Sequence, residues 1–159
     1  MSSRFATMKS HIRNSFRANA LDAGRLLLRL GGGLTLLLLF GLPKLRAAAA
    51  FIKTGQWMFV DFNRKAGLPF PILIALYQTA NESVGALLVA TGLFSRVGAG
   101  SLAIGFGAAT YLSIRAGEDA WLIAGLFFLI FASLLLIGPG RFSIDHLIRR
   151  TRSRRSSSV

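Results

Sequence analysis

Four long stretches of this chain, near residues 26–42, 70–94, 97–114 and 120–137, are almost free of charge, and nothing else in the sequence constrains the fold as strongly. An apolar helix of about 18 residues or more is long enough to cross a bilayer. A soluble domain of comparable size scatters its charges along the chain. Here 53% of the 159 residues are hydrophobic and the mean hydropathy is +0.55. The expected fold is therefore all-α. It is a polytopic membrane protein whose residues 23–142 form an antiparallel bundle of four transmembrane helices, flanked by basic tails at 1–22 and 143–159.

The breaks between the stretches are legible as local chemistry. Pro43 is expected to end the first helix, because a proline disfavours helix at the residue before it. Residues 47–69 mix Phe51, Ile52, Trp57 and Phe59 with Lys53, Asp61 and Arg64. That mixture predicts a connection resting on the outer membrane surface, with Trp57 in the aromatic belt. Ser95-Arg96 forms a short basic turn, and Arg115-Ala116-Gly117-Glu118-Asp119 forms the next. Gly138-Pro139-Gly140-Arg141 stops the fourth helix, and Ser143 is placed to cap a short final one.

Charge sets the orientation. With both tails and the Arg96 turn on one side, 13 of the 19 basic residues lie there, against six on the other. The positive-inside rule then puts both termini in the cytoplasm. The net charge of +13 and the tail Arg149-Arg150-Thr151-Arg152-Ser153-Arg154-Arg155 do not make a nucleic-acid binder of so apolar a chain. The partner they fit is the lipid bilayer, through its anionic headgroups. In residues 1–22, Phe5, Met8, Ile12 and Phe16 recur at helical spacing beside Arg4, Lys9, Arg13 and Arg17. The pattern fits an amphipathic helix lying in the interface, and it also fits a cleaved mitochondrial presequence. A secretory signal fits poorly, since the apolar run that follows is too long.

Small residues recur along the spans, among them Gly31, Gly32, Gly33 and Gly41, then Gly85 and Gly92, then Ala99, Ala103 and Gly107. Each is a common packing pattern that lets helices approach closely in lipid.

One polar constellation interrupts the apolar runs. Glu82 lies near the middle of the second, where a carboxylate costs a few kcal/mol. Gln78, Asn81 and Glu82 share a helix face, with Tyr77 close by, so this patch must point into the bundle. Arg29 is its expected partner. It lies 13 residues before Leu42, about 20 Å of helix, and Glu82 lies 12 residues after Phe70, about 18 Å. Thr35 and Tyr111 are expected to complete the hydrogen bonding. Such a group admits two readings. It is a fastener between two helices, or it lines a pocket, formed by Glu82, Arg29, Gln78, Asn81, Tyr77 and Tyr111, for a polar ligand, a quinone head or a proton.

Other chemistry is excluded. There is no cysteine, so thiolate chemistry and cysteine-ligated metal or iron–sulfur centres are absent from this chain. His11 and His146 lie in the polar tails, leaving no intramembrane histidine for a haem. No nucleophile–base set and no phosphate loop is present. The expectation is no catalytic residue, no metal site and no enzymatic activity by this chain alone.

The residues then converge on a family. Leu26-Leu27-Leu28-Arg29-Leu30 ending in Phe40-Gly41-Leu42-Pro43-Lys44 resembles the first helix of DoxX-family proteins. Gly67-Leu68-Pro69, Glu82 with Gly85, and Gly92-Leu93-Phe94-Ser95-Arg96 are similar to the family's second helix and following turn. Gly138-Pro139-Gly140-Arg141-Phe142-Ser143-Ile144-Asp145 resembles its closing motif, so the likeness runs over about residues 24–146. The resemblance implies a four-helix protein of the bacterial inner membrane. Some relatives are membrane subunits of quinone-linked sulfur oxidoreductases, and others accompany redox-stress enzymes. Members often carry a histidine where this chain has Phe40, and any role of that histidine is absent here. The leading expectation is an accessory or anchoring subunit of a redox-linked system. It would have a small polar pocket around Glu82, take a quinone as its cofactor, and have oxidoreductase subunits or further copies of itself as partners. A small proton-coupled transporter and a non-catalytic scaffold are the alternatives.

Overall fold

A computed structural model describes the backbone of residues 2–156 and the side chains of residues 19–148, 150 and 151. Among these residues every regular element is helical. The expected apolar face of Phe5, Met8, Ile12 and Phe16, with His11, and the tail side chains of Arg149, Arg152, Arg154 and Arg155 lie outside the described residues.

Helix α1 runs from Ser2 to Leu36, so the backbone of the N-terminal tail continues directly into the first apolar run. Pro43 does not stop it, contrary to expectation. One wide π turn, Leu37–Gly41, carries the chain into α2, Leu42–Thr54, and the N–H of Leu42 donates to the carbonyl of Leu37 five residues back. Proline has no amide hydrogen and crowds the carbonyl four residues earlier, and a local widening of the turn lets a helix pass such a position. The helix ends instead at Gly55, whose φ of +66° suits a residue without Cβ.

After α3, Met58–Lys65, the second apolar run forms α4, Pro71–Ala80, a second π turn, Asn81–Gly85, and α5, Ala86–Thr91. Helix α6 spans Ser95–Ala116 and α7 spans Trp121–Ile137, and α8 covers Ile144–Ser156. Three helical stretches are long and apolar enough to cross a membrane: Asn19–Thr54, Pro71–Thr91 and Ser95–Ala116. The apolar α7 is shorter, at 17 residues.

One core joins α1, α5, α6 and α7. Leu36 of α1, Val89 of α5, Leu102 of α6 and Phe131 of α7 are fully enclosed. Phe106, Phe127 and Phe131 stack on one another, and Phe40 meets Phe127 edge-on at 5.7 Å. Close approach depends on glycine. A Cβ on Gly33 would lie 2.9 Å from the Ala86 carbonyl oxygen, and one on Gly41 would lie 2.7 Å from that of Glu82. Leucines and isoleucines such as Leu27, Leu39, Ile104 and Leu136 point outward, an apolar surface that suits lipid and not water.

The connection before α4 is more folded than expected. Trp57 is only 5% exposed and packs with Val60 and Ala75 in a second small core, its ring 5.7 Å from Phe51 and 6.4 Å from Phe59. It is therefore enclosed by protein and does not stand in a lipid-facing belt. Asn63 ties α3 down by donating to the carbonyl of Pro71 at 3.2 Å.

Candidate functional site

Arg29 and Glu82 do not meet. They lie at opposite ends of the bundle, each with other partners. The expected pairing measured depth from Leu42 as the outer end of the first helix. Because that helix continues to Thr54, the level of Glu82 corresponds to Gly41 and Lys44, not to Arg29.

Arg29 is 2% exposed and closes one end. Its Nε donates to the carbonyl of Val89 at 3.0 Å and its Nη2 to that of Ala90 at 3.1 Å, both in the last turn of α5. Its Nη1 donates to Pro139 at 2.7 Å and to Phe142 at 3.0 Å. The planar, multi-donor guanidinium thus takes up carbonyls that the end of a helix and an irregular turn leave over. Gly92 sits against it at φ +77°, and a Cβ there would fall 2.5 Å from Nη2. The Gly138–Asp145 segment completes this end. The carboxylate of Asp145 accepts from the backbone N–H groups of Phe94 and Ser95, at 3.0 and 3.2 Å, where α6 begins. Asp22, also buried, accepts from Arg25 at 3.0 Å and from the backbone of Arg141 at 3.3 Å.

Glu82 is 8% exposed and belongs to the other end. Lys44 reaches it across the two facing π turns, its Nζ 2.6 Å from Oε1 and 2.7 Å from Oε2. The same ammonium lies 4.2 Å from the centre of the Phe59 ring. Ser83 locks the two turns together, donating to the carbonyl of Thr79 at 2.8 Å with the Gly41 carbonyl 3.2 Å away.

This pair stands in the wall of a cavity of about 740 Å³. Lys44, Gln78, Asn81 and Glu82 make one polar side. Aromatic rings, Phe40, Trp57, Phe59, Phe62 and Phe106, surround it, and Ala109, Leu112, Ile123 and Ala124 complete an apolar far side. Gln56, Met58 and Glu118 also line it, from the segments that join the helices at this end. Asn81 is held by donating its Nδ2 to the carbonyl of Ser101 at 3.1 Å. Gly105 keeps that wall open, since a Cβ there would come within 3.2 Å of the Asn81 amide nitrogen. Gln78 differs from its neighbours, for its Oε1 is buried without a hydrogen-bond partner in the protein.

Of the six expected pocket residues, then, Glu82, Gln78 and Asn81 line one cavity and Arg29, Tyr77 and Tyr111 do not. The Tyr77 hydroxyl pairs with Ser101 Oγ at 2.9 Å on the outer surface, and Tyr111 is exposed and accepts from Arg115 at 3.0 Å. Thr35 also faces outward. Lys44 was missed because Pro43 reads as a helix stop, which consigns the next residue to the interface. The signal that would have found it is the acid itself, which needs a cation at its own depth. No group of three or more His, Cys, Asp or Glu side chains that could hold a metal ion occurs among the described residues.

The chain matches the DoxX family over residues 24–116, more than half its length, which takes in α2 to α6 and both π turns. The closing motif at 138–145 lies beyond that match. No curated protein and no solved structure matches. The apolar helices, the outward leucines and this family match lead to one conclusion: the chain is a membrane protein of the DoxX family.

Proposed function

We propose that this protein is an accessory or anchoring membrane subunit of a redox-linked system, and that its cavity receives a lipophilic ring compound of the quinone class. In this reading α7 crosses the bacterial inner membrane as a fourth span, with α1, α4–α5 and α6 as the other three, and both termini lie in the cytoplasm. The observation that carries the proposal is the cavity itself. Its volume, about 740 Å³, falls in the range of small-molecule sites. Aromatic walls suit a flat ring, and the one-sided polar wall suits the oxygens at its edge. The residues fit such a group, which would supply the redox chemistry that this cysteine-free chain lacks. The protein's own part is to bind and orient the ring and to keep water from it.

Trp57 is a reporter inside the cavity, and Trp121 does not line it. In nanodiscs, a Trp121→Phe variant leaves one indole to watch. A decyl benzoquinone should quench it saturably, and Ala109→Leu, which fills the far wall, should abolish the saturable part. Quenching that rises without saturation, or that survives Ala109→Leu unchanged, contradicts the proposal.

A further inference from the structure

We infer that the cavity opens sideways into the bilayer through a seam between α2 and α7, and that its ligand is a ring with a long alkyl tail, which enters from the lipid and leaves its tail in that seam. This rests on the ring site proposed above and adds the ligand's class and its route.

The helices close on one another in order around the bundle. α1 packs on α5, α5 on α6 and α6 on α7. α7 returns to the first helix along α1, where Gly32 lies against Ile130, and the π turn adds the contact of Phe40 with Phe127. Past Phe40 the first helix takes other neighbours. α2 packs on α4, with Ala47, Ala48 and Phe51 against the small core of Trp57, Val60 and Ala75, while α7 stays on α6. The first helix and α7 therefore part beyond Phe40, and the cavity lies where they part.

The residues that line the cavity and are also exposed mark its edges. Pro43 and Ala50 stand on one face of α2, and across from them Ala120 and Ile123, the latter 54% exposed, stand at the start of α7. All four are apolar and three are small, so this edge is both slim and suited to lipid. The remaining exposed edge differs in kind. Gln56, Met58 and Glu118 come from the segments that join the helices at this end, and they bring an amide and a carboxylate. An alkyl chain is favoured where it avoids water. With the ring inside, its tail runs out past Ala50 and Ile123 and not past Glu118.

The test uses a decyl benzoquinone with a photoreactive diazirine at mid-tail, irradiated with the protein in nanodiscs, with and without excess unlabelled decyl benzoquinone. Labelling that the competitor suppresses should fall on residues 43–52 of α2 and 120–127 of α7. Competitor-sensitive labelling of 55–60 and 117–119 instead, or of α4 or the outward side of α6, overturns the inference, as does none at all. Ala50→Phe, at an exposed position, narrows the seam. In the Trp121→Phe protein it should weaken saturable quenching of Trp57 by decyl benzoquinone about tenfold and leave quenching by the same headgroup without a tail unchanged. Equal effects on the two quinones, or none on either, also overturn the seam while leaving the ring site standing. Absence of any saturable quenching in the protein with Ala50 intact removes the ring site, and the inference with it.

Discussion

The two ends of the bundle solve the same problem, a charged side chain among apolar helices, in opposite ways. At the Arg29 end one guanidinium is spent wholly on backbone carbonyls, Asp145 and Asp22 are spent on backbone N–H groups and neighbouring arginines, and glycine at position 92 lets the chain close on the charge. Each of these groups is satisfied by the chain itself. At the Glu82 end the charges satisfy each other, Lys44 against Glu82, and beside them remain a cavity and an orphan amide oxygen. A closed polar network serves structure. An ion pair in the wall of an aromatic cavity leaves room for a ligand beside it.

Substitutions can break this contrast. The largest effect is expected from Arg29→Leu, which strands several carbonyls at once and should cost on the order of 3 kcal/mol or more. Unfolding in mixed micelles measures it. Arg29→Lys should recover only part of the loss, because one ammonium cannot span carbonyls from two segments. A variant as stable as the parent would show that the closed end is not closed by this residue.

Gly41→Ala comes next. Its Cβ would press on the Glu82 carbonyl at 2.7 Å, a backbone atom that cannot swing away, so a loss of about 1–3 kcal/mol is expected. The same unfolding measurement applies, and an unchanged midpoint would mean that the two π turns are not in contact.

The ion pair is expected to matter less than Arg29, since Lys44 keeps a quarter of its side chain exposed, at 24%. Lys44→Leu and Glu82→Leu should each cost about 1–3 kcal/mol, and the double substitution should cost clearly less than their sum. Strict additivity would sever the pair. Gln78→Leu should have the smallest effect on stability, within about 0.5 kcal/mol, because it removes a group that the fold leaves unpaired.

The contrast also explains what the sequence made legible. Helices α6 and α7 are nearly coextensive with their apolar runs, because glycine and charge mark their ends and nothing inside perturbs the helix. Glu82, Gln78 and Asn81 were legible as one inward patch, because residues three and four apart share a helix face. Two features were not. A proline that a π turn carries through a helix looks the same, in sequence, as a proline that ends one, so the sequence pattern does not reveal the length of the first helix or the depth of the residues on it. Arg29 was then matched to the wrong partner, since its true partners are backbone carbonyls at Val89, Ala90, Pro139 and Phe142, which no side-chain pattern announces. The aromatic belt at the membrane surface is the usual place for a tryptophan between spans, and only the folded-back α3 encloses Trp57 in protein.

Hydrogen exchange read by mass spectrometry, with and without the decyl benzoquinone in nanodiscs, tests most directly the claim that the ligand is received at the Glu82 end and not at the Arg29 end. The account predicts slower exchange over the end of α2 and over α3, residues 50–65, and no change over 138–145 or around Gly92. Protection at the Arg29 end, or none at the cavity end under conditions where Trp57 is saturably quenched, would contradict it.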